Sequence, residues 1–290
     1  MKKVSILKIE QFHDHDATED FYVNTLQHHL QTRHKDIALP HKHNFYLAVL
    51  FTKGTGVHEV DFTSYEVRPG ALFFLNPGQT HHWELSSTTE GYIFFHTQEF
   101  YNLHYTSNKL SAFPFYYSIY NNPCLYLNNV KTEKMQSLFK MLLTEYTSDK
   151  MLSKESLISI TDLIYIESTR IYALHNPSLL NNRDKYYAKF RKLEELIEKH
   201  YVAEKSPSAY ADMLNMTSKH LNRITQAVVG KTASDVILER VMLEAKKELI
   251  VQKNGFADVA YSLGYEDYAY FSKLFRKKTG TTPSAFLNRY

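Results

Sequence analysis

Gly255-Phe-Ala-Asp-Val-Ala-Tyr-Ser-Leu-Gly264-Tyr-Glu-Asp-Tyr-Ala-Tyr-Phe-Ser-Lys-Leu-Phe-Arg-Lys-Lys-Thr-Gly280-Thr-Thr-Pro283 is the stretch from which the C-terminal fold is read. Its pattern predicts two short helices joined by a tight turn. The first covers about Ala257 to Leu263, with Val259, Ala260 and Leu263 on one side. Gly264 follows, a residue free to take the left-handed backbone of a helix end. Glu266 or Asp267 is placed to cap the second helix. There Phe271, Leu274 and Phe275 recur at i, i+3 and i+4 and share an inward face, with Tyr268, Ser272, Lys273 and Arg276 opposite. This is the layout of a helix-turn-helix, whose second helix enters the DNA major groove. Over so short a stretch, an amphipathic helix pair with a solvated basic face has the same pattern.

An internal repeat separates the two. With a shift of about 50 residues, Leu221-Asn222-Arg223-Ile224 lies over Phe271-Ser272-Lys273-Leu274, and Val229-Gly230-Lys231-Thr232 over Thr279-Gly280-Thr281-Thr282. Val236-Ile237 lies over Phe286-Leu287. Ala211 matches Ala260 with a shift one residue shorter, which places one extra residue in the second turn. Two helix-turn-helix units are therefore expected, joined by a helix over roughly Ser234 to Gln252. Such a helix is ~28 Å long at ~1.5 Å per residue. Successive major grooves on one side of a duplex lie ~34 Å apart.

The run from Ala257 to Pro283 carries Gly264-Tyr265, Tyr270-Phe271-Ser272-Lys273, Phe275-Arg276 and Gly280-Thr281-Thr282-Pro283. It resembles the signature of AraC/XylS-type transcription regulators, and the resemblance extends over Tyr186 to Tyr290. The first unit departs from the pattern at Asn215, where glycine is common, and at Ile224-Thr225, where a phenylalanine is common. Asn tolerates a left-handed turn and Ile still fills a core.

DNA contacts are expected from the repeat. Thr217 caps a helix running to about Val229, with Leu221, Ile224 and Val228 inward. Lys219, His220, Asn222 and Arg223 remain outward as base-reading candidates, matched in the second unit by Tyr268, Ala269, Tyr270, Ser272 and Lys273. Arg pairs bidentately with guanine and Asn with adenine. Lys231, Arg276, Lys277 and Lys278 are the phosphate candidates. Tyr270 has a core position as its alternative.

The N-terminal half reads as β. Phe45 to Phe51, Val57 to Val60, Phe62 to Val67, Ala71 to Leu75, His81 to Leu85 and Gly91 to His96 are expected strands. Turns at Lys53-Gly54-Thr55-Gly56, Arg68-Pro69-Gly70 and Asn76-Pro77-Gly78 separate them. His41-Lys42-His43 with Pro69-Gly70, Pro77-Gly78 and His81 resembles a cupin barrel, which in AraC-type regulators implies an effector-binding or dimerisation domain. His41, His43, Tyr46, His82 and Trp83 are the effector-pocket candidates; a sugar, an aromatic molecule or a fatty acid would suit such walls. His41, His43 and His81 are imidazoles of the kind that ligate metals. The Glu that metal-binding cupins place three or four residues after the His pair is absent, with Tyr46 and Leu47 in its place. No metal and no cofactor is expected.

Thr132 to Tyr146 and Lys154 to Leu174 read as amphipathic helices that pack on the barrel or dimerise. Pro177 stops the second. The expected organisation is a sensor or dimerisation domain over residues 1–175 (barrel about 35–110, helices about 130–175), a linker at 176–185 and the DNA-binding domain at 186–290. The fold class is thus multidomain α+β, a cupin-like β-barrel with helices followed by an all-α double helix-turn-helix domain.

Charge follows the same division. Residues 181–290 hold 19 Lys+Arg and 13 Asp+Glu, a net +6, and the rest holds 15 and 18, a net −3. A basic C-terminal part suits a polyanion. The single Cys124 offers no disulfide framework and points to a reducing cytoplasm. Met1 to Glu10 is too broken for a signal peptide, and no stretch approaches the ~18 apolar residues of a membrane span. The expected function is a non-enzymatic, sequence-specific transcription regulator that binds double-stranded DNA as a homodimer, senses a small molecule and contacts RNA polymerase. A metal-dependent cupin enzyme fused to a DNA-binding module, or a ligand-independent regulator, are the alternatives.

Overall fold

The structure, a computed structural model, describes residues 6–12, 20–32, 39–102, 110, 113–148, 150–175, 185–251 and 255–290. The chain divides into two units, residues 4–180 and residues 181–290. The linker expected at 176–185 lies outside the described residues apart from its last one.

In the N-terminal unit the strands are β1 (Ile6–Leu7), β2 (Phe21–Thr25), β3 (Lys42–His43), β4 (Tyr46–Lys53), β5 (Gly56–Val60), β6 (Thr63–Val67), β7 (Ala71–Leu75), β8 (His81–Leu85), β9 (Glu90–His96) and β10 (Cys124–Tyr126). Its helices are α1 (Leu26–Thr32), α2 (Gln98–Asn102), α3 (Pro114–Tyr117), α4 (Asn129–Tyr146) and α5 (Ser153–His175). The α+β architecture is the expected one, but among the described residues the strands do not close into the barrel that the resemblance implied. The strands form a five-stranded sheet ordered β10-β7-β4-β9-β2, a three-stranded sheet β6-β5-β8 and a parallel ribbon β1-β3. An isolated bridge between His41 and His81 ties the ribbon to β8. Neither edge of the larger sheet suits closure: β10 has only three residues and β2 runs straight into α1.

Alternation along β4 sorts its side chains between two cores. Phe45, Leu47, Val49 and Phe51 meet Val60, Val67 and Trp83 between the sheets. Ala48 and Leu50 turn to the other face and pack with Met135, Phe139 and Leu142 of α4 and Leu157, Ile164 and Tyr165 of α5. Leu174, near the end of α5, is exposed. Phe62, expected to begin a strand, instead sits with Asp61 in the β5–β6 turn at positive φ (68° and 46°), as a two-residue hairpin turn of this hand requires. The Asp61 carboxylate fixes that turn by accepting from the Thr80 amide and from Gln79 Nε2, both at 3.0 Å.

The C-terminal unit is helical: α6 (Lys185–His200), α7 (Pro207–Met213), α8 (Ser218–Val229), α9 (Ala233–Val251), α10 (Phe256–Ser262), α11 (Tyr268–Thr279) and α12 (Pro283–Leu287). The repeat holds at the level of backbone capping. Thr217 and Asp267 are the N-caps of α8 and α11, and Gly230 and Gly280, at φ 68° and 79°, end them. Asn215 (φ 52°) and Gly264 (φ 74°) occupy the equivalent left-handed turn positions. Leu221, Ile224, Phe271 and Phe275 are fully buried on the inward faces, while Val228 and Leu274 are half-buried. Arg240 of α9 ties that helix to α6 through Glu198 (2.7 Å) and lies 4.1 Å over the Tyr201 ring. No helix among the described residues is long and apolar enough to cross a membrane.

Candidate nucleic-acid interface

Capping fixes where α8 and α11 begin, and hence which side chains face outward. Thr217 Oγ1 accepts from the His220 amide (3.2 Å), and Asp267 accepts from the Ala269 and Tyr270 amides. On α8 the exposed positions are Lys219, Arg223, Gln226 and Ala227; on α11 they are Ala269, Tyr270, Lys273, Arg276 and Lys277. These fall at i, i+4 and i+7/8 along each helix, a single solvent-facing stripe. Tyr270 is 60% exposed, so it lies outside the core. Gln226, a polar side chain level with Arg276 in the repeat, was missed; the 50-residue shift pointed to it.

The remaining candidates are placed otherwise. Asn222, a base-reading candidate, turns its Oδ1 to accept from the Ala233 amide at the start of α9 (2.9 Å). It therefore ties recognition helix to connecting helix. Tyr268 and Ser272 are half-buried, the former with its ring 6.5 Å from Phe271. Of the phosphate candidates, Lys231 is held by both oxygens of Glu239 at 2.7 and 2.8 Å, and Lys278 pairs with Asp235. The Lys278 hydrogen bond holds the Asp235 carboxyl below its usual range. Arg276 and Lys277 stay exposed.

His220 is half-buried and sits between two cations. Its Nδ1 is 2.6 Å from Arg223 Nη2 and its Nε2 is 3.1 Å from Lys189 Nζ on α6. Partial burial and the two positive charges push its pKa down.

In the N-terminal unit three of the five effector-pocket candidates come together. His41, His43 and Trp83 are buried between the sheets, joined by His58 and His81. His41 and His81 have ring centroids 4.2 Å apart, His43 and His81 5.1 Å, and His58 and Trp83 5.2 Å. Tyr46 is half-buried on the opposite face of β4, stacked on His96 and bonded to Gln98. His82 points away from Trp83 and lies 3.8 Å from Glu59 near the surface. Backbone carbonyls set two of the rings: Nδ1–H of His41 donates to Leu39 (2.9 Å) and that of His43 to Phe45 (2.7 Å). Burial lowers His41 to about 4 and His43 to about 3, and drives His58 well below the usual imidazole range. Nε2 of His43 and Nδ1 of His58 have no hydrogen-bond partner among the described residues. No group of three or more His, Cys, Asp or Glu among the described residues is arranged to hold a metal ion, the His41, His43 and His81 set included. Cys124, on β10 opposite Phe73 of β7, is buried, and burial raises its thiol to about 12.

Two helix-turn-helix units on one shared helix, each with a polar and largely basic outer stripe, make this a DNA-binding protein of the double helix-turn-helix class. The family profile described as a helix-turn-helix domain matches residues 210–289, and that of the AraC-like ligand binding domain matches residues 29–98. The chain belongs to the AraC family of transcription regulators. It is 21% identical over 262 residues to the HTH-type transcriptional activator RhaS of Enterobacter sp. (strain 638), covering 88% of this chain and 89% of that one. It is 31% identical over 94 residues to the bifunctional transcriptional activator/DNA repair enzyme AdaA of Bacillus subtilis (strain 168), covering 32% of this chain and 44% of that one. The chain thus spans less than half the length of AdaA. The structure of ToxT from Vibrio cholerae aligns with 92% of the chain at 11% identity and a TM-score of 0.45.

Proposed function

We propose that this chain is a cytoplasmic transcription activator that places α8 and α11 in adjacent major grooves of double-stranded DNA and answers to a small molecule through its N-terminal unit. The observation that carries the DNA reading is the matched pair of capped helices on one connecting helix. At 19 residues α9 is ~28 Å long, close to the ~34 Å groove repeat. Arg223, Lys219 and Gln226 on α8, with Tyr270 and Lys273 on α11, read bases; Arg276 and Lys277 meet phosphates. Lys231 and Lys278 serve the fold first, through Glu239 and Asp235.

The effector reading rests on the interior histidines. The neutral imidazole of His43, with an unused lone pair, and the Nδ1 of His58, which has no partner among the described residues, suit hydroxyls such as those of a sugar. Self-association is supported by exposed Leu163, Ile166 and Leu174 along α5; RNA polymerase is the further partner an activator needs. Selection of bound sequences from a random duplex pool tests the DNA reading: an enriched motif of two half-sites about one helical turn apart is expected, and an unenriched pool overturns it. Thermal shift against a panel of sugars and small acids tests the effector. A binder at 100 Kd adds ~2.7 kcal/mol, and no shift across the panel removes the sugar assignment.

A further inference from the structure

Lys189, His220 and Arg223 meet at the first turn of α8, and their chemistry leaves something out. Lys189 is on α6, outside both helix-turn-helix units, yet its Nζ reaches His220 Nε2 at 3.1 Å. Arg223 Nη2 reaches the other ring nitrogen at 2.6 Å. An ammonium and a guanidinium only donate, and a neutral imidazole has one lone pair to offer them both. The charged and titratable groups facing the ring are Lys189 and Tyr186 from α6 (the Tyr186 ring at 5.9 Å) and Arg223 from its own helix. No carboxylate among the described residues acts on it. Elsewhere in this unit Arg240, Lys231 and Lys278 are matched by Glu198, Glu239 and Asp235. The α6–α8 cluster has no such match: its convergent donors face a shortage of acceptors beside the positive end of a 12-residue helix.

We propose that Lys189 and His220 seat one phosphate of the DNA backbone, and that His220 takes up a proton as the phosphate arrives. The inference rests on the DNA-binding reading and adds to it a contact from α6. The phosphodiester supplies the acceptors that the three side chains lack. Protonated His220 can no longer accept from Arg223, so the guanidinium fork is released toward the groove. In the free protein the two cations disfavour the imidazolium; in the complex the phosphate favours it. The complex therefore binds more protons than its parts, and affinity rises as pH falls and is lost as pH rises through the imidazole range.

A phosphate contact is blind to sequence, so the probe is a fluorescein-labelled random duplex of about 30 base pairs. Anisotropy titrations with the full chain run from about pH 6 to about pH 8 and over a salt series. The wild type is expected to weaken several-fold between the lower and upper pH. Lys189→Gln and His220→Gln are each expected to lower the salt slope by about one and to flatten the pH profile. His200→Gln, the other histidine of this unit, keeps both, and Lys189→Arg restores the slope. A wild type that binds duplex while Lys189→Gln and His220→Gln retain its slope and pH profile overturns the phosphate seat alone. A wild type that binds no duplex overturns the DNA-binding reading with it.

Discussion

Arg223 and Lys277 are both exposed cations on outward helix faces, and the proposed DNA reading gives them different tasks. In the free protein the Arg223 guanidinium is held at one nitrogen by His220, on the stripe of α8 that carries Lys219 and Gln226; Lys277 lies exposed in the last turn of α11. Arg223→Ala is expected to lose ~1–3 kcal/mol of discrimination at one base pair. Lys277→Ala is expected to weaken selected and random duplexes alike and to lower the salt slope by about one. Competition between selected and random duplex measures both, and equal losses for Arg223→Ala would remove its base-reading role. Asn222→Ala belongs to stability: losing the acceptor for the Ala233 amide should cost about 1 kcal/mol in urea unfolding, with base preferences unchanged. An altered motif at unchanged stability would return Asn222 to the groove. Sequence spacing put Arg223 and Lys277 on exposed faces, where the structure has them, because exposure on a helix is a local property. It did not foresee the Asn222 bond to the Ala233 amide, whose partner is eleven residues away across a turn, nor the approach of Lys189, because α6 lies outside the repeat.

At the scale of elements, the turn before a recognition helix and the cap after one differ in how tightly they are enclosed. Gly264 and Gly230 both have positive φ, 74° and 68°. A Cβ on Gly264 would stand 2.3 Å from the Val202 carbonyl oxygen, whereas one on Gly230 would meet nothing within 4 Å. Gly230→Ala should therefore cost only the backbone term, about 1 kcal/mol. Gly264→Ala adds a clash with main chain and should cost about 2–4 kcal/mol. Equal denaturation midpoints for the two variants would mean that the second turn relaxes freely. These turns were legible beforehand, Asn215 included, since left-handed positions leave a mark on residue type. The strands of the N-terminal unit were legible as elements but not as a sheet. Phe45 to Phe51 is apolar on both faces, so no alternation told which side chains lie between the sheets. Tyr46 accordingly joins the α4–α5 side, away from His43 and Trp83. β2 and β10 were missed: five and three residues, one of them partly polar, whose pairing is decided by distant β9 and β7.

Over the whole molecule, titration divides along the same boundary as the fold. His41 (about 4), His43 (about 3) and His96 (about 4) are held neutral chiefly by burial, as is His58, and all belong to the N-terminal unit. Unfolding returns each to the ordinary 6.5. Above 6.5 neither state carries the protons and stability is whole. Below it the unfolded chain binds protons that the folded unit refuses, so stability falls as pH drops from 6.5 toward 4, by an amount on the order of 1 kcal/mol for each imidazole. The C-terminal unit has only His200 and His220, and the one lowered there, His220, is half-buried at the surface and not part of a buried set like that of the N-terminal unit. The chain has one tryptophan, Trp83, fully buried among the interior histidines, so its fluorescence reports the N-terminal unit alone. Thermal unfolding followed by Trp83 should shift to markedly lower temperature between about pH 7 and about pH 5, while a large part of the helical circular dichroism, contributed by α6 to α12, melts later at the lower pH. His43→Leu, which removes one of the refused protons, should flatten the Trp83 shift even if it also lowers the starting midpoint. A Trp83 midpoint that stays constant over that interval would mean that the interior imidazoles are already charged or solvated, and the neutral, donor-seeking site proposed for the effector would go with it.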